Sequence, residues 1–277
     1  MATGVLRSFG VGASVARGAL AWIRRDPKSA ALDRTNFHGR TVSLAGGPAL
    51  ALGATAGAAL GASSARVSAA VVTAGVVSGA VGLYDDIVGG RPEQKAFKGF
   101  AGHLGALREG QVTSGLLKIA GVGAAGLAAS ALIGSRRTSL FGRSTDVLLG
   151  AGVIAGMANV VNLLDLRPGR AIKAGVAVGA PLALGKGGGV AAGALGASAA
   201  LLPDDLGEEI MLGDAGANAL GALLGVALTA RTGTAGRFVA LAGLAALTAA
   251  SEKVSFTKVI NDTPWLRRVD ELGRRSA

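Results

Sequence analysis

The sequence predicts an all-α protein: a polytopic transmembrane helical bundle of about nine spans, forming a single integral membrane domain over residues 1–277. Three observations point there. Half of the 277 residues are hydrophobic, mean hydropathy is +0.50, and several stretches run 15 to 20 residues without a polar face. That is close to the length a helix needs to cross hydrocarbon. Period-2 alternation is absent, so helices rather than a barrel must satisfy the backbone in lipid. Gly numbers 46 and aromatics only 4%, and small residues let membrane helices approach closely.

The elements follow in order. Residues 1–23 are either a first span, weakened by Arg7 and Arg17, or a tilted interfacial helix. Residues 24–43 are polar and basic. Further spans are expected at 44–62, 67–84, 114–134, 146–164, 171–185, 188–202, 215–230 and 237–250. The pair 171–185 and 188–202 is short for two full crossings, so one of them is open to being tilted or incomplete. The tail 251–277 is polar and amphipathic, with no further span.

Charge gives the threading. Loops 24–43, 85–118, 165–173, 203–214 and 251–277 hold 19 of the 28 Lys and Arg residues, which marks that side as cytoplasmic. The same threading puts 16 of the 17 Asp and Glu residues on that side, Asp146 being the exception. Loop 203–214 carries no positive charge, an anomaly unless its carboxylates have a task. The protein is therefore expected in the cell membrane, with its chemistry facing the cytoplasm. No cleavable signal is evident. The absence of Cys excludes disulfides, thiolate metal sites and a Cys nucleophile. The net charge of +11 is read as basic loops rather than a nucleic-acid surface, because there are few aromatics to stack bases.

Three constellations carry chemistry. In Val81-Gly-Leu-Tyr-Asp85-Asp86-Ile-Val-Gly-Gly90, adjacent carboxylates at a span end make a hard-oxygen site suited to Mg²⁺ and substrate phosphate; the plainer alternative is a solvated helix end. In Asn159-Val-Val-Asn162-Leu-Leu-Asp165-Leu-Arg167-Pro-Gly-Arg170, two Asn share a helix face, and they either bind a ligand or glue helices together. Asp165 with Arg167 and Arg170 reads as a phosphate-handling loop. In Leu212-Gly213-Asp214-Ala-Gly216-Ala-Asn218, Asp214 either caps a helix or presents a carboxylate to a metal.

The order and shared side of these three motifs resemble the polyprenyl-phosphate N-acetylhexosamine-1-phosphate transferases, over roughly residues 30–250 and including Gly46-Gly47. This superfamily contains the phospho-N-acetylmuramoyl-pentapeptide transferase of bacterial cell-wall synthesis. The resemblance implies Mg²⁺-dependent transfer, with Mn²⁺ as an alternative ion, of a sugar-1-phosphate from a nucleotide-sugar, a UDP-sugar first, to a polyprenyl phosphate. By the same resemblance Asp214 is a metal ligand, Asp85 orients or deprotonates the lipid phosphate, and Asp86 supports metal or phosphate. Asn162 and Asp165, with Asn159, line the nucleotide–sugar side, and Lys118 contacts phosphate. Family members are often homodimers, a point on which these residues are neutral.

The chain departs from the family in three places. Pro168 stands where a second Asp is usual. The segment Ser251-Glu-Lys253 to Asp262 lacks the family His cluster, and Asp204-Asp205-Leu-Gly-Glu208-Glu209 replaces an Asn/Pro-containing segment. Replacement groups are sought in Lys95, Lys98, His103 and Arg108, which otherwise form a basic interfacial loop, and in Lys253 and Lys258. His38 beside Arg40 reads as a loop residue. The alternative function is a non-catalytic lipid-phosphate-binding or scaffold protein derived from this family.

Overall fold

The computed structural model describes residues 2–36, 38–89, 91, 99–108, 110–185 and 187–275. It is 79% helical, so the all-α expectation stands at the level of fold class. Twelve helices are described: α1 (Ala2–Arg25), α2 (Gly46–Leu60), α3 (Ala65–Val88), α4 (Gly99–Arg108), α5 (Ser114–Ile133), α6 (Leu140–Leu164), α7 (Arg170–Ala183), α8 (Gly189–Leu206), α9 (Gly213–Arg231), α10 (Thr234–Ser251), α11 (Phe256–Asp262) and α12 (Pro264–Glu271). Between α1 and α2 run a 3-10 helix, Pro27–Leu32, and a hairpin of β1 (Asp33–Thr35) and β2 (Thr41–Ser43).

Hydroxyl caps set several of the helix starts. Ser64, Thr113, Ser139 and Ser255 each accept a backbone N–H from the first turn they precede. Four helices, α3, α5, α6 and α10, are long and apolar enough to cross a membrane. Alongside them lie α1, α2, α7, α8 and α9, which are shorter or less apolar. At 14 residues α7 spans only about 20 Å, in keeping with the short pair seen in the sequence.

The core is built around α9. Leu220, Leu223 and Leu224 are fully buried, and α9 packs against α2, α3, α5, α6, α7 and α8. A helix buried on every side needs no polar face, which explains its lack of amphipathic pattern. Small residues set the spacing. A Cβ on Gly193 of α8 would meet the Gly57 backbone of α2 at 2.1 Å, and one on Gly12 of α1 would meet the Gly193 carbonyl at 2.1 Å. Helix α1 packs along α8 and α2, with Ala16 and Leu20 buried.

Connections gather most of the acidic groups at one end. There α3, α6 and α8 finish, and α5, α7 and α9 begin, so Asp85, Asp86, Asp165, Asp205 and Asp214 share it. At the other end Thr234 donates to Asp146 and Arg231 donates to the Leu182 and Leu184 carbonyls.

Candidate functional site

Asp85 and Asp86 lie in the last turn of α3, Lys118 in the second turn of α5, and Asp214 in the first turn of α9. Lys118 Nζ stands 2.6 Å from Asp85 Oδ2 and 2.5 Å from Asp214 Oδ2. One ammonium thus holds two carboxylates from different helices together. The side chains of Lys118, Asp85 and Asp214 are 18, 12 and 23% exposed. That is too sheltered for a lysine reaching out to the membrane interface.

Asp86 does something else. Its Oδ1 accepts the Asp214 N–H at 2.9 Å and its Oδ2 accepts the Ala215 N–H at 3.0 Å. Helix α9 has no side-chain cap of its own at Leu212, so Asp86 caps it from α3 and places a negative charge at its positive end. Gly213, at φ +57°, makes this approach possible, since a Cβ there would meet Asp86 Oδ1 at 2.8 Å. Gly82 serves the same crossing: a Cβ on it would lie 2.4 Å from the Asp214 carbonyl.

Beside this clasp is a pocket of about 300 Å³ between α5, α6, α9 and α10. Lys118, Asn159 and Asn162 line it, together with Asn218, Thr248 and Glu252. Asn159 Nδ2 donates to Thr248 Oγ1 at 3.0 Å, and Asn218 Nδ2 donates to the Asp214 carbonyl at 2.7 Å. The structure therefore brings Lys118, Asn159 and Asn162 to one place. Asn218 sits one turn beyond Asp214 and was visible in that motif. Ser251 and Glu252 open the segment that lacks the family His cluster, and Thr248 lies within the expected span before it; no local pattern marks the three as site residues.

Asp165 and Arg167 face a second cavity, of about 260 Å³, shared with Asn36, Asp205 and Glu208. Burial pushes the Asp165 carboxyl well above the usual range, and the carboxylates of Asp205, Asp214 and Asp86 add to the effect. So Asp165 belongs electrostatically to the same acidic end while opening into a different space from Asn159 and Asn162. His103 lies on α4. Lys95 and Lys98 lie outside the described residues.

Several residues read as chemical prove to tie elements together. Arg170 is buried and bidentate to Asp270, at 2.8 and 2.9 Å, and also donates to Thr257. It fastens the tail onto the α6–α7 loop instead of offering a free phosphate contact. Pro168, the departure from the family pattern, lends its carbonyl to Arg274 at 2.9 Å in the same fastening. The acidic loop is explained likewise. Asp204 pairs with Arg17 at 2.5 Å, Glu209 with Arg24 at 3.4 Å, and Asp205 accepts the Gly169 N–H at 3.0 Å. Glu208 takes His38 Nδ1 at 3.0 Å and Arg40 at 3.2 Å.

Among the described residues no group of three or more His, Asp or Glu side chains stands ready to hold a metal ion. Mg²⁺ commonly uses only one or two carboxylates and fills its shell with water and substrate phosphate. Asp214 and Asp85, facing each other across a cation, supply that number and that chemistry. No family model matches the chain, and no curated protein matches it.

Proposed function

We propose that the chain transfers a sugar-1-phosphate from a nucleotide-sugar, a UDP-sugar first, to a polyprenyl phosphate. In this reading nine helices, α1–α3 and α5–α10, cross the bacterial cell membrane, the carboxylate end faces the cytoplasm, and the assembly is a homodimer. The observation that carries it is the Lys118 clasp between Asp85 and Asp214, open to a pocket lined by Asn159 and Asn162.

Joining two phosphate-bearing reactants requires their charges to be screened and their atoms aligned. Mg²⁺, held by Asp214 with help from Asp85, would supply that screening. Lys118 exchanges one carboxylate for a phosphate oxygen as the acceptor arrives. Asp85, released from the ammonium, orients the lipid phosphate and takes its proton. An acceptor oxygen forms a bond to the donor β-phosphorus, the bond from that phosphorus to the oxygen bridging the α-phosphate breaks, and nucleoside monophosphate leaves. Asn159 and Asn162 hold the sugar side of the donor. Asp86 keeps the start of α9 in place throughout.

A second reading has its own observation: Asp86 is engaged as a helix cap and Lys118 neutralises two carboxylates, as a purely structural clasp would. The chain would then bind lipid phosphate or scaffold an assembly without turnover. One experiment separates the two. Purified protein is incubated with undecaprenyl phosphate, Mg²⁺ and a panel of UDP- and CDP-sugars, and nucleoside monophosphate release is followed. The transferase reading expects release with one donor, reduced at least about 100-fold in Asp214→Asn. Lipid-phosphate binding with no release from any donor would leave the scaffold reading.

A further inference from the structure

The end of the bundle opposite the carboxylates holds a cavity of about 750 Å³ between the starts of α3, α6 and α10 and the ends of α5 and α9. Arg66, Arg136, Arg137, Arg143, Arg231 and Arg237 line it, against the single carboxylate of Asp146. In the proposed threading nine of the 28 basic residues lie outside the cytoplasmic loops, and six of the nine are here. A membrane protein has no topological reason to gather arginine on that side.

Asp146 acts electrostatically on Arg237 and Arg137, so one negative charge faces six guanidinium groups. The Asp146 oxygens accept the hydroxyls of Thr234 at 2.6 Å and Ser135 at 2.5 Å. Arg231 and Arg143 donate to neutral carbonyls, and Arg137 donates to the Thr234 hydroxyl and hydrogen-bonds to no carboxylate. Arg66 and Arg136 make no hydrogen bond or ion pair with the described residues. Arg237 is 5% exposed and donates to the carbonyls of Asp146 and Thr229, both at 3.0 Å, yet its Nε is buried without a partner. Leaving a buried charged donor unmet is costly.

We propose that this cavity binds a phosphate-bearing anion. Guanidinium forks meet phosphate oxygens two at a time, and the N-termini of α6 and α10 add partial positive charge. The volume suits a phosphate together with a headgroup. Leu140 and Phe141, 82 and 85% exposed on the first turn of α6, stand between Arg137 and Arg143 in the sequence and offer an apolar surface to acyl chains. An anionic lipid headgroup is thus the first source of the phosphate, and a free phosphate is the other. The inference does not depend on the transferase reading.

The test uses the full chain, delipidated in neutral detergent. Binding is measured for phosphatidylglycerol, phosphatidylcholine and inorganic phosphate. The comparison is between the native chain, R66Q/R136Q/R143Q, and a control, R25Q/R267Q/R268Q, that removes three exposed arginines at the other end. Saturable phosphatidylglycerol binding, weakened about tenfold or more in the first variant only, supports the site with a lipid source. The same pattern with inorganic phosphate alone supports it with a free source. Equal weakening in both variants, or no weakening in either, overturns it. Should the triple variant fail to elute as a single species, R136Q alone carries the same comparison.

Discussion

At the scale of single residues, the acidic end divides its carboxylates between support and chemistry. Lys118 lies between Asp85 and Asp214, and removing it leaves two sheltered negative charges facing each other. Breaking a sheltered pair from one side is strongly destabilising, so Lys118→Met is expected to cost about 2–3 kcal/mol in denaturant unfolding. Adding Asp85→Asn should return part of that cost, because it removes the repulsion Lys118 had suppressed; strictly additive costs would mean the three groups do not interact. Asp86 predicts a different signature. Its two oxygens hold the Asp214 and Ala215 amides, and losing a cap costs about 1–2 kcal/mol. Asp86→Ala should therefore speed hydrogen exchange at those two amides while leaving the interior of α9 protected. Unchanged exchange there would return Asp86 to a purely chemical role.

At the scale of elements, short polar segments are locked by charge to places far away in the chain. The β1–β2 hairpin is joined to the α8–α9 loop by Ser43, which exchanges backbone bonds with Glu209 and Met211, and by Glu208. Burial acts to raise the Glu208 carboxyl, but hydrogen bonds from His38 and Asn36, with the charges of His38 and Arg40, outweigh it and hold it below its ordinary value. A carboxyl lowered on folding stabilises the fold above its unfolded value and stops doing so as pH falls through the folded one. Exchange in the hairpin should thus accelerate below about pH 4.5, the ordinary Glu value. In Glu208→Gln it should already be fast at neutral pH, without that acid step. An acid step that persists in the variant would assign it to another group. Such ties explain what was legible in the sequence. The long apolar helices could be read because their signal is local: α5, expected at 114–134, runs Ser114–Ile133. The Asp85, Lys118 and Asp214 grouping could be read through resemblance. Arg170 with Asp270, 100 residues apart, and Asp204 with Arg17 could not, because no local pattern pairs residues across that distance.

At the scale of the whole molecule, the question is how many of these helices cross. Length and apolarity alone select four, yet that criterion treats each helix as if it met lipid on every side. Helix α9 is almost wholly buried by its neighbours and α8 largely so, so neither needs the hydropathy of an isolated span. The exposed apolar side chains lie instead on outer helices, such as Phe238, Val239 and Leu247 of α10 and Val72 and Val76 of α3. If nine helices cross, five of them, α6 to α10, lie between the α5–α6 turn and the segment after α10, so these two must face opposite sides. The chain contains no cysteine, so single substitutions report position without background. In intact cells a membrane-impermeant maleimide should label T138C, between α5 and α6, and should label S255C, after α10, only once the membrane is opened. The reverse pattern would invert the orientation and put the carboxylate clasp outside, out of reach of cytoplasmic nucleotide-sugars. Labelling of both from one side would remove the odd number of crossings between them that this threading requires.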